Sequence, residues 1–166
     1  RRANAFRRVL ASIRHLGYGA PHCPMGSLEL MLCEMLALHF CSDYHEALRV
    51  LQAILAEIKR RIARGAHILP PDAARIFWVN PVADLRAMNL LEECGGRVCG
   101  TDYLFTHALQ MIPETLPPLK ALACTALSDP MAGTCRDRAR HIRAEIKRYG
   151  AEGMIISRIP GASHCA

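Results

Sequence analysis

The segment Arg75-Ile76-Phe77-Trp78-Val79 constrains the fold of this chain more than any other. Before it, apolar residues recur three and four apart, which is a helical period. At Gly65 to Asp72, reading GAHILPPD, that period stops, and the next run is continuously apolar. A short apolar run bounded by turn signals is the pattern of a strand buried on both faces, as in a parallel sheet. Asn80-Pro81 makes a turn, Val82 to Cys94 reads as a helix with Pro81 close to its start and Gly95 just past its end, and Arg97-Val98-Cys99 reads as a second strand. A strand, helix, strand order of this kind implies a parallel pair joined by a right-handed crossover. The fold class is therefore α/β.

The residues ahead of this unit read as helices. Phe6, Val9, Leu10 and Ile13 share one face of a helix that Gly17, Gly19 and Pro21 are expected to end. The loop Gly17 to Gly26 holds His22 beside Cys23, a weak metal signal because no second ligand pair accompanies it. Ser27 is a plausible N-cap for a helix whose buried stripe is Leu28, Met31, Leu32, Met35, Leu36 and Phe40. A third helix places Leu48, Leu51, Leu55, Ile58 and Ile62 inward. The expected organisation is a helical segment over residues 1–67 and a partial flavodoxin-like α/β domain over residues 68–166.

Gly100-Thr101-Asp102-Tyr103 follows the second strand, and Asp102 is either a polar site group or the cap of a helix starting near Tyr103, with the cap favoured. His107 reads as an ordinary helix histidine. Leu119, Leu122, Ala123 and Leu127 suggest a short helix after the prolines at 113, 117 and 118. Thr134 can cap a long amphipathic helix carrying Ala139, Ile142, Ile146 and Tyr149 on one face, which Gly150 closes. The strand Met154-Ile155-Ile156 then leads through Arg158 to a loop containing Cys165. Ligands in open α/β sheets sit outside the carboxyl ends of the strands, so Cys165 is the first candidate for a functional residue.

Composition narrows the function classes. The chain has 166 residues, is 51 % hydrophobic and 22 % charged, and can bury a core. Its first residues are Arg1-Arg2-Ala3-Asn4, and we read the sequence as part of a longer protein. No signal-peptide pattern or bilayer-length apolar run is present. The net charge of +6 is spread along helices with acids between the basic residues, and aromatics are scarce, which argues against nucleic acid. Eight cysteines occur with no CxxC pair and no zinc-finger spacing. Cytoplasmic location with reduced thiols is the expectation, with Cys33, Cys94 and Cys99 acting as small apolar residues. The turn after the first strand lacks the glycines of a dinucleotide site, and there is no GK[ST] phosphate loop.

Three stretches, RIFWVNPVADLRAMNLLEECGGRVCGTD, LSDPMAGTCRDRARHIRAEIKRYGAEGMIISR and SHCA, in that order after a leucine-rich helical segment, resemble the 2-hydroxyacyl-CoA dehydratase family, which includes benzoyl-CoA reductase subunits. Glu152-Gly153-Met154-Ile155 and Cys165 stand where the family has a small-residue, acidic-Gly-apolar pattern and a cysteine a few residues beyond. The resemblance implies two flavodoxin-like or Rossmann-like domains with a [4Fe-4S] cluster between them, of which this chain carries most of the second. It implies that Cys165 is a cluster ligand, with Cys135, at the start of a helix, a second-rank candidate, and that the other ligands lie in the preceding domain.

The resemblance further implies an iron–sulfur lyase that eliminates water from an acyl-CoA thioester by radical chemistry, with an open iron site acting as Lewis acid and electron donor. Its partners would be a homologous second subunit and an ATP-dependent iron–sulfur activator. Arg158 and Asp102 are the candidate substrate-binding residues, Arg158 to meet a carboxylate, thioester or CoA phosphate. The isolated chain is expected to be inactive. The family commonly has an aromatic residue before the cysteine and an acid after it, where this chain has His164 and Ala166. This departure keeps open an alternative, a non-catalytic structural or electron-storing partner subunit.

Overall fold

The computed structural model describes residues 2–39, 43–80 and 84–158. Three helices, α1 (Arg2–Gly19), α2 (Ser27–His39) and α3 (Tyr44–Ala63), precede the sheet. Then come β1 (Ala74–Val79), α4 (Arg86–Glu93), β2 (Gly96–Asp102), a 3-10 turn (Thr106–Leu109), α5 (Pro118–Leu127), a second 3-10 turn (Pro130–Ala132), α6 (Cys135–Tyr149) and β3 (Gly153–Ile156). The sheet has three strands in the order β2-β1-β3, with both pairings parallel. The fold is α/β with helices at its N-terminus, and β1, the strand that the apolar run foretells, is the central one.

Most of the buried apolar residues form one cluster. Phe6, Leu10 and Ile13 of α1, Leu51 and Ile58 of α3, and Trp78 and Val98 of the sheet all belong to it. At residues 17–19 the sequence expectation fails, since α1 runs on to Gly19. Gly17 serves packing there: a methyl group on it would come within 2.7 Å of Leu30 of α2. Ser27 does not cap α2 as expected. The Leu30 amide donates to Gly26 O, while the Ser27 hydroxyl donates to Glu92 Oε1 at 2.5 Å. Leu32 is 52 % exposed and Leu30 buried, so the buried face of α2 is turned from the expected stripe. Phe40 lies outside the described residues.

In the second half, the helix after β1 is described from Arg86, and Pro81 and Val82 lie outside the described residues. β2 extends to Asp102. Cys94 is exposed, whereas Cys33 and Cys99 are buried. Leu119, Leu122, Ala123 and Leu127 stand on a short helix, α5, as the sequence suggests; Leu119 and Leu127 are 83 % and 80 % exposed, and Ala121 is the buried contact. Pairing between β1 and β2 is interrupted by a register shift: Ile76 stands opposite Val98, but Phe77 stands opposite Gly100, so Cys99 is passed over.

Two strand arginines fix the direction of the flanking helices. The last carbonyls of a helix have no partner within it and favour a cation. Arg97 Nη2 donates to Tyr18 O and Ala20 O at the end of α1, and Arg75 Nε donates to Tyr149 O at the end of α6. Both helices therefore end at the edge of the sheet where the strands begin. The N-terminus of α6 consequently lies toward the edge where the strands finish.

Candidate functional site

At that carboxyl edge β1 finishes in Asn80, whose φ of 70° lies in the left-handed region that asparagine tolerates better than most residues. Its amide donates to Asp102 O, and its side-chain Nδ2 donates to Ser157 O, beyond the end of β3. α6 starts from a complete capping box, Thr134 with Asp137, as the sequence suggests. This start aims Arg138 at the strand ends. Its Nε donates to Asp102 Oδ2 at 2.9 Å and its Nη2 to Asn80 Oδ1 at 2.6 Å. One hydrogen-bonded chain thus joins the ends of all three strands.

Asp102 is fully buried. It caps no helix: the 3-10 turn has no side-chain cap, and the hydroxyl of Thr106 accepts from the Tyr103 amide. The other carboxylate oxygen faces His107 Nε2 at 3.1 Å, and Gln110 Nε2 lies 3.3 Å from His107 Nδ1. His107 is thus buried against a carboxylate, not the ordinary helix histidine that its sequence context suggests. His141 of α6 packs edge-on against it with ring centres 4.8 Å apart.

The electrostatics follow from burial and neighbours. Burial disfavours the Asp102 carboxylate, but the hydrogen bonds from His107 and Arg138, with the Arg138 charge, outweigh it and hold the pKa below the usual aspartate range. Burial, reinforced by the nearby His107, pushes His141 down and favours its neutral form. A cleft of about 260 Å³ opens beside the pair, lined by His107, Gln110, His141 and the arginines Arg7, Arg14 and Arg148. The edge therefore combines a carboxylate, two imidazoles and an opening lined by arginines and Glu145, a set suited to holding a cation or handling a proton.

The residues singled out from sequence are placed as follows. Cys165 lies outside the described residues. Cys135 is exposed at the first position of α6. Arg138 stands three positions further on, about 4.5 Å along the helix axis. Arg158 is exposed just past β3. Asp102 is held by Arg138 and His107, which the sequence reading did not select. The signal that would have found Arg138 and His141 is a half-buried polar row, Arg138, His141 and Glu145, beside the apolar stripe of α6. Cys23 is buried, with its thiol donating to Met25 O, and His22 is exposed, so that pair offers no ligand set.

Among the described residues no helix is long and apolar enough to cross a membrane. Comparison with family models matches residues 1–162 to the 2-hydroxyglutaryl-CoA dehydratase, D-component. No curated protein matches the chain.

Proposed function

Because the chain belongs to the 2-hydroxyglutaryl-CoA dehydratase D-component family, we propose that it forms part of a component that eliminates water from a 2-hydroxyacyl-CoA thioester by radical chemistry. A homologous second subunit, an ATP-dependent iron–sulfur activator and a cytoplasmic setting belong to the same reading. The observation that carries it is the common edge at which three parallel strands finish, with an exposed thiol at the head of α6 beside it.

A [4Fe-4S] cluster requires thiolates. Cys23, Cys33 and Cys99 are buried, and desolvation raises their thiol pKa values. Cys135 is the described thiol at the carboxyl edge, and it fits one corner of such a site. Cys165, beyond β3, is the other thiol of this chain that we assign to it, with the remaining ligands coming from the preceding domain. When bound, the cluster supplies a Lewis-acidic iron and single electrons. The chain's own residues do the positioning. Arg138, Asn80 and Asp102 hold the strand ends in register, and exposed Arg158 offers its charge to a carboxylate, thioester or CoA phosphate.

Co-expression of the full-length component with its partner tests this reading. Cys165→Ser is expected to lose iron, the cluster's electronic spectrum and turnover together. Cluster content and turnover both unchanged in that variant would overturn the ligand assignment. Unchanged cluster without any turnover in the wild type would favour the structural or electron-storing role that the His164 and Ala166 neighbours keep open. The isolated chain, reconstituted anaerobically with iron and sulfide, is expected to hold no stoichiometric cluster.

A further inference from the structure

We propose that Asp102, His107 and His141 bind a divalent transition-metal ion of the zinc type, entering through the cleft between α1, the 3-10 turn and α6. The inference stands independently of the iron–sulfur reading, because its donors are imidazole and carboxylate and it needs no thiolate. One ligand atom from each of the three residues lies within 4.8 Å of the other two. Two donors around a tetrahedral ion with bonds of about 2.0–2.1 Å stand roughly 3.3 Å apart. His107 Nε2 and Asp102 Oδ1, at 3.1 Å, already have that spacing. His141 is half-buried at the cleft wall with its ring centre 4.8 Å from that of His107, and its side chain would have to rotate to close the remaining gap.

The surroundings supply what metal ligands ordinarily need. Ligating carboxylates and imidazoles are oriented by further hydrogen bonds. Here Arg138 occupies Asp102 Oδ2 at 2.9 Å, leaving Oδ1 for the ion, and Gln110 stands 3.3 Å from His107 Nδ1. The contact of Nε2 with Asp102 fits an N–H donor toward the carboxylate, and the contact of Nδ1 with Gln110 fits an acceptor from the side-chain amide. On binding, the ion takes the place of the Nε2 proton, the imidazole carries its proton on Nδ1, and the Gln110 amide turns over to accept it.

Two imidazoles and one carboxylate suit zinc, cobalt or ferrous iron better than magnesium or calcium, which prefer oxygen alone. Three protein ligands leave a coordination position open. Both histidines line the cleft of about 260 Å³, so a water or small anion could reach an ion held between them. The guanidinium of Arg138 repels the ion and makes the site weaker than an unpaired carboxylate would.

Titration of the chain with Co2+ alone, followed by calorimetry and absorption, tests the assignment. The expected result is one equivalent bound without a sulfur-to-metal charge-transfer band, unchanged in Cys135→Ser/Cys165→Ser, and weakened about 100-fold or more in His141→Ala. His141 is half-buried, so this variant is expected to fold, which the fluorescence of Trp78 checks. Should it unfold, His141→Gln carries the same test. No stoichiometric binding, equal affinity in the His141 variant, or loss of binding in the cysteine variant would overturn the proposal.

Discussion

Replacing Arg138 by methionine keeps most of the apolar stem and removes the guanidinium that faces Asp102. The carboxylate is buried, with Arg138 Nε at 2.9 Å and His107 Nε2 at 3.1 Å. Breaking a buried ion pair costs about 3–5 kcal/mol. Arg138 retains 18 % exposure, so water recovers part of the loss, and His107 keeps the other oxygen. We expect a loss of about 2–3 kcal/mol near neutral pH. For a chain of this size that lowers the unfolding midpoint by roughly 4–12 °C.

The pH dependence is more telling than the magnitude. The folded-state pKa of Asp102 is depressed, so its contribution is complete above the unfolded value of about 3.9 and is lost as pH falls through the folded value. In Arg138→Met the depressing charge is gone and burial dominates, so the carboxyl takes up its proton at higher pH than in the parent. The deficit of the variant is therefore largest near neutrality and narrows on acidification. Urea unfolding followed through Trp78, the single tryptophan, measures this at several pH values. Arg140→Met, which removes an exposed pair with Asp137, is the control and is expected to be close to silent. A deficit no larger than that of the control, or one independent of pH, would refute the reasoning.

Gly100→Ala is expected to destabilise by about 1–3 kcal/mol through overpacking, because the added carbon would lie 2.8 Å from the Phe77 ring and 3.1 Å from Tyr149; thermal unfolding reads the effect, and a neutral result would mean that both rings can yield. Brief alkylation of the native chain, mapped by mass spectrometry, is expected to label Cys94, Cys124 and Cys135 and to spare Cys23, Cys33 and Cys99. Burial pushes the Cys33 thiol up to about 11, so raising the pH moderately should leave it unlabelled.

The parts of the fold legible in the sequence are those set by local periodicity and punctuation. The apolar run at Arg75 to Val79, the stripe of α3, the Thr134 cap and the left-handed Gly150 after α6 each report their structure within a few residues. The parts that were not legible depend on a distant partner. Gly17 carries a helix-stop signal, but contact with Leu30 decides its role. Ser27 has the chemistry of a cap, and Glu92, distant in sequence, takes its hydroxyl. The site divides in the same way. That the edge after β2 would be polar was readable from Asp102, but Arg138 and His141 reach it only because α6 folds back over the sheet.

The residue passed over in β2 decides which functional group stands at the end of that strand. With Ile76 opposite Val98, an unbroken ladder would set Cys99 against Phe77 and Thr101 against Val79. The shift sets Asp102 there instead. Smoothing the ladder with Cys99 kept in it would therefore exchange a carboxylate for a hydroxyl at the strand terminus, whereas deleting Cys99 would keep the carboxylate there. One irregular residue in the ladder thus sets whether the terminus of β2 carries an anionic centre.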